Sequence, residues 1–395
     1  MADGNDGFPD GDGGGVLSAR LVRSIDQVPA ADWDRLAGTS NPFVCHGFLS
    51  ALEESGSVDA EAGWLPQHLL LEDEAGSLIG AVPLYVKGHS YGEYVFDHGW
   101  ADAYERAGGQ YYPKLQSAVP FTPVTGPRLL AGDGPGAPIV QRALIQALEQ
   151  VAGQTQLSSL HVTFPTEQEW RAMTEAGWLG RYGQQYHWRN RDYGSFDDFL
   201  ADLASRKRKN IRKEREKVRE SGVVCEALTG EALTEDVWDD FYRFYMDTGS
   251  RKWGVPYLTR SFFSLLGERL ADRTVLIMAS HEGRRVAGAL NLVGDEAIFG
   301  RNWGCDAHFR FLHFEACYYQ AIDYAIAHGL KTVEAGAQGQ HKVQRGYLPV
   351  RTYSAHWIRD PNFREAIERF LAREGQMVDW EIQEITDAGP FKKDG

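Results

Sequence analysis

Residues 274–293 read TVLIMASHEGRRVAGALNLV, and the reading of this stretch decides the fold. Two apolar runs flank His281-Glu282-Gly283, the pattern of two strands around a tight turn. Residues 67–86, QHLLLEDEAGSLIGAVPLYV, do the same around Glu74-Ala75-Gly76. Both second strands open with Gly-Ala, at Gly80-Ala81 and Gly288-Ala289. Outward from these two stretches the same order of elements recurs, the mark of an internal duplication. A helical lead-in with aromatic anchors precedes each, Trp33 to Glu54 and Trp238 to Leu270. A third strand follows each, near Tyr94–Phe96 and at Ala297–Arg301. Then come an amphipathic helix (Ile139–Gly153 and Phe311–Gly329), a short strand (Ser159–Phe164 and Thr332–Ala335) and a closing strand holding His187-Trp188 or His356-Trp357.

Helix 311–329 is the firmest element. Phe311, Phe314, Tyr318, Ile322, Ala325 and Ile326 recur at three or four residues and cover one face. Gly329 suits the position after a helix end, and His328 lies in the last turn, where the helix dipole favours a cation. Pro138 suits the first turn of the matching helix. Strands in threes with one helix before the next strand predict mixed sheets flanked by helices, an α+β chain built of two similar halves. The predicted organisation is a disordered tail at 1–15, with six Gly and four Asp, a first domain at 16–192, a basic linking helix at 193–222 and a second domain at 223–395.

The net charge of −14 argues against a general nucleic-acid coat, which needs a broadly basic surface. One local exception stands out: residues 206–219 hold nine Lys/Arg against Glu214 and Glu216. Two acids cannot neutralise nine bases, so an anionic partner is expected there, with Arg208 and Arg212 as anion-binding residues. Docking onto the acidic remainder of the protein is the competing reading. Cys45, Cys225, Cys305 and Cys317 are scattered without a C-x-x-C pair, which predicts reduced thiols and a cytoplasmic setting. No secretory signal and no apolar run of about 20 residues is visible, so no membrane span is expected.

The segment Ala335-Gly336-Ala337-Gln338-Gly339-Gln340-His341-Lys342-Val343-Gln344-Arg345-Gly346-Tyr347 follows a strand and is rich in Gly and polar side chains. Such a loop lets backbone N–H groups approach a ligand while Gln338, His341, Lys342 and Arg345 contact it. Adjacent strands at 297–301 and 332–335 would gather Arg301, Glu315, Glu334 and His341 around one crevice, where a Glu or His with a pKa near 7 serves as general base. The plainer reading pairs Arg301 with Glu315 or Glu334 and only orders the sheet. Trp303 and His313 flank the same crevice. His308, His313, Glu315 and His341 are of metal-ligand type, but H-E-x-x-H is absent and no metal is expected. Neither a G-x-S-x-G elbow nor a kinase-type phosphate loop is present. Gly132-Asp133-Gly134-Pro135-Gly136 reads as a rigid turn. The aromatic stretch 96–104, with His98 and Tyr104, and Tyr111-Tyr112-Pro113-Lys114 read as a pocket wall carrying substrate-binding His98, Tyr104 and Lys114.

Those stretches carry a family resemblance. Asp97-His98-Gly99-Trp100-Ala101-Asp102-Ala103-Tyr104, Tyr111-Tyr112-Pro113-Lys114-Leu115, Pro120-Phe121-Thr122-Pro123-Val124-Thr125-Gly126, Gln185-Tyr186-His187-Trp188-Arg189-Asn190, the run from Leu312 to Gln320 and Gly336 to Lys342 resemble the bacterial FemAB-like group of peptidoglycan biosynthesis/recognition proteins. The resemblance implies two tandem GNAT-like domains with the active cleft on the second. It implies an N-acyltransferase or aminoacyltransferase, with acyl-CoA or aminoacyl-tRNA as co-substrate rather than a tightly bound cofactor. A peptidoglycan-precursor amine is the implied acceptor, and the basic helix the implied tRNA contact. Glu315, His341 and Lys342 are then expected to be catalytic, with Arg301, Trp303, His313, Gln338 and Arg345 binding substrate. The acetyltransferase loop R/Q-x-x-G-x-G/A does not open the helix at Phe311, and no long two-helix arm is visible. A non-catalytic binder of cell-wall precursors is the alternative.

Overall fold

The computed structural model describes residues 7–8, 17–252, 256–336 and 339–392. Apart from Gly7–Phe8, the expected disordered tail lies outside the described residues. The chain divides into two compact units, Met1–Gly183 with Thr352–Val378, and Gln184–Arg351 with Asp379–Gly395. Each has a mixed arrangement of strands with flanking helices, the α+β class expected.

In the first unit the strands are β1 (Gly7–Phe8), β2 (Leu17–Val22), β3 (Trp64–Pro66), β4 (His68–Glu72), β5 (Leu78–Val82), β6 (Leu84–Lys87), β7 (Lys114–Ser117) and β8 (Ser159–Thr163). One sheet is antiparallel with the order β1-β2-β4-β5. The other holds β8-β7-β6-β3, and β7 and β8 are parallel, with Gln116 opposite His161. Helices α1 (Ala30–Ala37), α2 (His46–Glu54), α3 (His98–Arg106), α4 (Ala137–Thr155) and α5 (Glu167–Glu175) surround them. Leu144 and Leu148 of α4 share one core with Leu69, Leu71, Val82, Leu115 and Leu160. Gly80 permits this approach, because a Cβ there would stand 2.8 Å from Val140.

The third strand expected near Tyr94–Phe96 is instead β7. Residues 88–97 loop inward because Glu93 and Asp97 are both anchored on the Lys114 ammonium, at 2.8 and 2.5 Å. Ser90 takes its third proton at 2.8 Å, so Lys114 is fully buried with every donor used. It is a structural cation, not a substrate ligand. His98 and Tyr104 sit on α3 rather than on a loop, with Tyr104 stacked on Phe363 at 4.4 Å.

The second unit contains residues 184–189 of β9 (Leu179–Arg189), then β10 (Val223–Leu228), β11 (Thr274–His281), β12 (Arg284–Val293), β13 (Ala297–Cys305) and β14 (Thr332–Glu334). Their order is β10-β11-β12-β13-β14-β9, antiparallel except for β13 beside β14. The helices are α6 (Phe196–Asp202), α7 (Ser205–Glu220), α8 (Glu235–Lys252), α9 (Arg260–Leu270), α10 (Leu312–Phe314) and α11 (Gln320–Ala327); β15 (Leu348–Ile358) and α12 (Pro361–Asp387) complete the chain. The helix expected at 311–329 is broken by a π-helical turn, Glu315–Tyr319. That turn shifts the buried face, so Tyr318 and Tyr319 both enter the core.

The expected division at 16–192 and 223–395 differs from the compact units, for two reasons. His187 and Trp188 lie opposite Glu334 and Val333 of β14, while His356 lies opposite His161 of β8, so each half's closing strand completes the other unit's sheet. Segment 193–222 is also not a free linker. Phe199, Leu200, Leu203 and Ile211 belong to the core of the second unit.

One contact tests this packing. Gly304 of β13 faces α8 so closely that a Cβ would stand 2.3 Å from the Phe244 backbone, which cannot rotate away. Gly304→Ala is expected to cost about 1–3 kcal/mol by overpacking, read as a lower midpoint in urea denaturation. An unchanged midpoint would refute the close α8–β13 approach.

Candidate active site in the second unit

The strands β13 and β14 run side by side for three residues, pairing Ala297 with Thr332, Ile298 with Val333 and Phe299 with Glu334. There β14 stops, while β13 continues to Cys305 along β12. A wedge therefore opens at Glu334. At the same level the β12–β13 register shifts, with Asn291 opposite Gly300 and Ala289 opposite Trp303, a bulge at Arg301-Asn302. Bulges next to sites re-aim the side chains that follow. Gly300 lets β13 pass close to the end of β14: a Cβ there would lie 3.3 Å from the Glu334 carbonyl oxygen and 3.4 Å from Asn291 Oδ1.

The wedge holds polar groups with unmet bonding capacity. Asn291 is buried and donates to the carbonyls of Val275 and Ala289, yet its Oδ1 accepts nothing among the described residues. Glu334 Oε2 is likewise without a hydrogen-bond partner and lies 3.7 Å from His187 Nε2. Burial pushes the Glu334 carboxyl up to about 8, against the opposing pull of Arg189 and Arg301. His187 is held neutral, its imidazole lowered to about 3 by burial and by Arg189 and Lys342. Gln185 Oε1 sits 3.2 Å from His187 Nε2.

Beyond β14 the chain turns into a short 3-10 helix, Gln340–Arg345, between Gly339 at φ 108° and Gly346 at φ 92°. Gly346 is required twice over, since a Cβ would also collide with the Phe199 ring at 2.7 Å. Lys342 Nζ donates to the Gly336 carbonyl at 2.8 Å, and burial lowers the ammonium to about 8. His341 Nε2 lies 2.9 Å from the Tyr318 hydroxyl. Arg345 donates to Glu214 at 2.8 and 3.0 Å and to the His341 carbonyl at 2.8 Å, and its guanidinium lies 3.5 Å from the Phe314 ring centre, while its buried Nε has no hydrogen-bond partner among the described residues. These contacts fix the segment on α7.

The expected trio is thus divided. Lys342 and His341 belong to the segment after β14, whereas Glu315 is clamped by Arg215 at 2.9 and 3.2 Å and by Gln320 at 2.8 Å. Glu315 lines a cavity of about 890 Å³ walled by α6, α7 and β10, which neither His341 nor Lys342 lines. Glu315 is thus held by Arg215 and Gln320 on a different cavity from the segment that carries His341 and Lys342. Arg301 lies at the bulge, within electrostatic reach of Glu334. Trp303 and His313 meet at 5.4 Å, and His313 lies 6.4 Å from the His341 ring. Gln338 lies outside the described residues. Of the basic helix, Arg212 pairs with Asp197 at 2.9 Å, while Arg206, Arg208, Lys209, Lys213 and Arg219 have no partner among the described residues. No group of three or more His, Cys, Asp or Glu among the described residues has an arrangement that could hold a metal ion.

The sequence placed Glu334 in the crevice, as a base or as a partner for Arg301, and did not point to Asn291, Tyr318 or His187 as site residues. A Glu ending a short apolar strand before a Gly-rich loop was the available signal for Glu334.

The chain matches the FemAB-like family, described as peptidoglycan biosynthesis/recognition, over residues 24–393, and it belongs to that family. Among solved structures it is similar to FemX, with 12% identity and a TM-score of 0.55 over 86% of this chain and 98% of that one. The C-terminal domain of a putative lysylphosphatidylglycerol synthetase from Agrobacterium fabrum aligns at 8% identity and a TM-score of 0.54, covering 87% and 94% of the two chains. L-PGS from Bacillus licheniformis gives 11% and 0.50, covering 85% and 98%. At these identities the likeness is one of fold. No curated protein matches by sequence.

Glu315→Gln is expected to lower stability by about 1–2 kcal/mol, reduced from the cost of a broken buried pair because Arg215 keeps Asp323 at 2.6 Å. Urea denaturation reads this. A variant of unchanged stability with lost activity would return Glu315 to the chemistry.

Proposed function

We propose that this FemAB-like chain is an aminoacyl transferase whose second unit joins an activated acyl group to an amine of a peptidoglycan precursor. The observation that carries the reading is the wedge at the end of β14. There a carboxyl of raised pKa, whose Oε2 has no hydrogen-bond partner among the described residues, lies with Asn291 Oδ1, which has none either, and the Lys342 ammonium is on the segment that follows. Buried acceptors without partners are costly, and an incoming amine supplies what both lack.

The acceptor arrives as an ammonium. Ionised Glu334 takes one proton from it, and the freed nitrogen attacks the donor's carbonyl carbon. Lys342 stabilises the oxyanion that forms. The C–N bond closes, the ester C–O bond breaks, and the second nitrogen proton ends on the leaving oxygen. Atoms and charge balance: ammonium plus ester gives amide, alcohol and one proton. An ester of tRNA suits the chain better than a CoA thioester. The turn before α10 is Phe309-Arg310-Phe311, without the glycines whose N–H groups would cradle a diphosphate. The unpartnered Arg206, Lys209 and Lys213 are exposed on α7, the arrangement that tracks a phosphate backbone. No helix among the described residues is long and apolar enough to cross a membrane.

Two groups near 8 with opposite requirements set the pH dependence. Glu334 must be ionised, so kcat/KM rises as pH climbs through about 8; Lys342 must be protonated, so it falls above about 8. The expected profile is a narrow bell near pH 8. Glu334→Gln should lose about 10²–10⁴-fold in kcat and the rising limb with it, and Lys342→Met about 10²–10³-fold and the falling limb. Wild-type transfer by either variant would remove its role. Saturable precursor binding without product, from any aminoacyl-tRNA or acyl-CoA, would instead make the protein a binder.

The RNA contact has its own test. Replacing Arg206, Lys209 and Lys213 together by Glu should weaken tRNA binding and flatten the slope of log K against log salt by about 2–3, roughly one unit per lost phosphate contact. An unaltered slope would remove α7 from the interface.

A further inference from the structure

A second cavity, of about 440 Å³, lies at the far end of β13, beyond the bulge. Trp303 and Cys305 of β13, Phe309 and Phe311 of the following turn, and Leu312 and Phe314 of α10 form its walls. Its polar edge is Thr248, His308 and His313, and among the described residues no Lys, Arg, Asp or Glu lines it. The contrast with the larger cavity, lined by Arg212, Arg215, Arg219 and four carboxylates, is one of chemistry. Against these aromatic and aliphatic walls an apolar group gains by burial.

The cavity reaches toward the segment after β14. His313 and Phe314 line it on one side, and their rings lie 6.4 and 5.7 Å from that of His341, the neighbour of Lys342. A second, independent observation marks it as built. Phe311 is held at φ 69°, in the left-handed region that an aromatic residue adopts only at a cost, and its ring stacks on Phe314 at 6.3 Å. Backbone strain of this kind persists where surrounding structure imposes it and collects at ligand sites.

Resting on the transfer reading above, we infer that this cavity is the specificity pocket for the acyl group, and that the group carried is apolar, an aliphatic or aromatic side chain rather than a glycyl or lysyl one. With its carbonyl at the wedge, an acyl group has this pocket beside it, across His313 and Phe314. Cys305 lines the pocket and reports its occupancy.

The test uses the full-length protein and unreactive stand-ins for the donor: leucinamide, phenylalaninamide, glycinamide and lysinamide, with adenosine as the competing occupant. Titration calorimetry reads affinity. Protection of Cys305 from N-ethylmaleimide, mapped by peptide mass against Cys45, Cys225 and Cys317, reads location. Leucinamide or phenylalaninamide is expected to bind at least 10-fold more tightly than glycinamide or lysinamide and to protect Cys305 alone. Phe311→Asn tolerates the positive φ while removing a wall, and Ala307→Trp, at another lining position, fills the space; each should weaken binding 10-fold or more with an unchanged melting temperature. Equal affinity for all four amides, protection by adenosine alone, or wild-type binding by both variants would overturn the inference. These outcomes are separate from the transfer assay. Loss of transfer in Glu334→Gln with no side-chain preference sinks the pocket and leaves the reaction; preference without any transfer sinks the reaction and leaves the pocket.

Discussion

Three residues of parallel pairing, Ala297–Phe299 against Thr332–Glu334, are the constraint on which the second unit's site depends. A parallel neighbour cannot be reached by a hairpin, so the chain must cross over through α10, the π turn and α11 before β14 can form. The crossover brings Tyr318 and Tyr319 over the sheet, and the pairing then ends while β13 goes on. One strand stopping where its neighbour continues leaves backbone and side-chain acceptors without partners, here at Asn291 and Glu334. The same event that makes the fold makes a polar notch within an otherwise apolar core.

Around that notch, opposite charges are used to hold geometry. Glu214 receives Arg345 and the Tyr319 hydroxyl, while Arg215, its neighbour in sequence, grips Glu315 and Asp323. Two adjacent residues of α7 thereby tie the helix to both the 3-10 segment and the π turn. Buried ion pairs contribute little net stability against their loss of hydration, but breaking one is costly, so they specify position more than they add strength. What remains of the helix's positive charge, on Arg206, Arg208, Lys209, Lys213 and Arg219, has no partner among the described residues.

The first unit uses the same device without opening a site. Lys114 fills its three donor positions with Ser90, Glu93 and Asp97; Asp97 also accepts from Tyr111, and Tyr111 reaches His161, which meets His356 at 2.7 Å between Nδ1 atoms. Burial keeps both imidazoles below their ordinary pKa. The motifs in the first half that resembled the FemAB-like group most visibly are thus, in large part, the parts of a buried network.

The amino-acid sequence by itself determined the paired strands at 274–293 and 67–86, the helices, the short strands after them and the basic charge on one helix. Each of these follows from local periodicity, turn chemistry or composition, which act between residues a few positions apart. Tertiary structure alone decided which closing strand completes which sheet, since His187 and His356 carry the same pattern and either could pair locally. It also decided which acid is available. Glu315 and Glu334 look alike in sequence; only the packed chain sets a guanidinium against one and leaves the other, among buried groups with no partner for its outer oxygen, to gain a proton near neutral pH. Burial and distant charge, not neighbouring residues, set that difference.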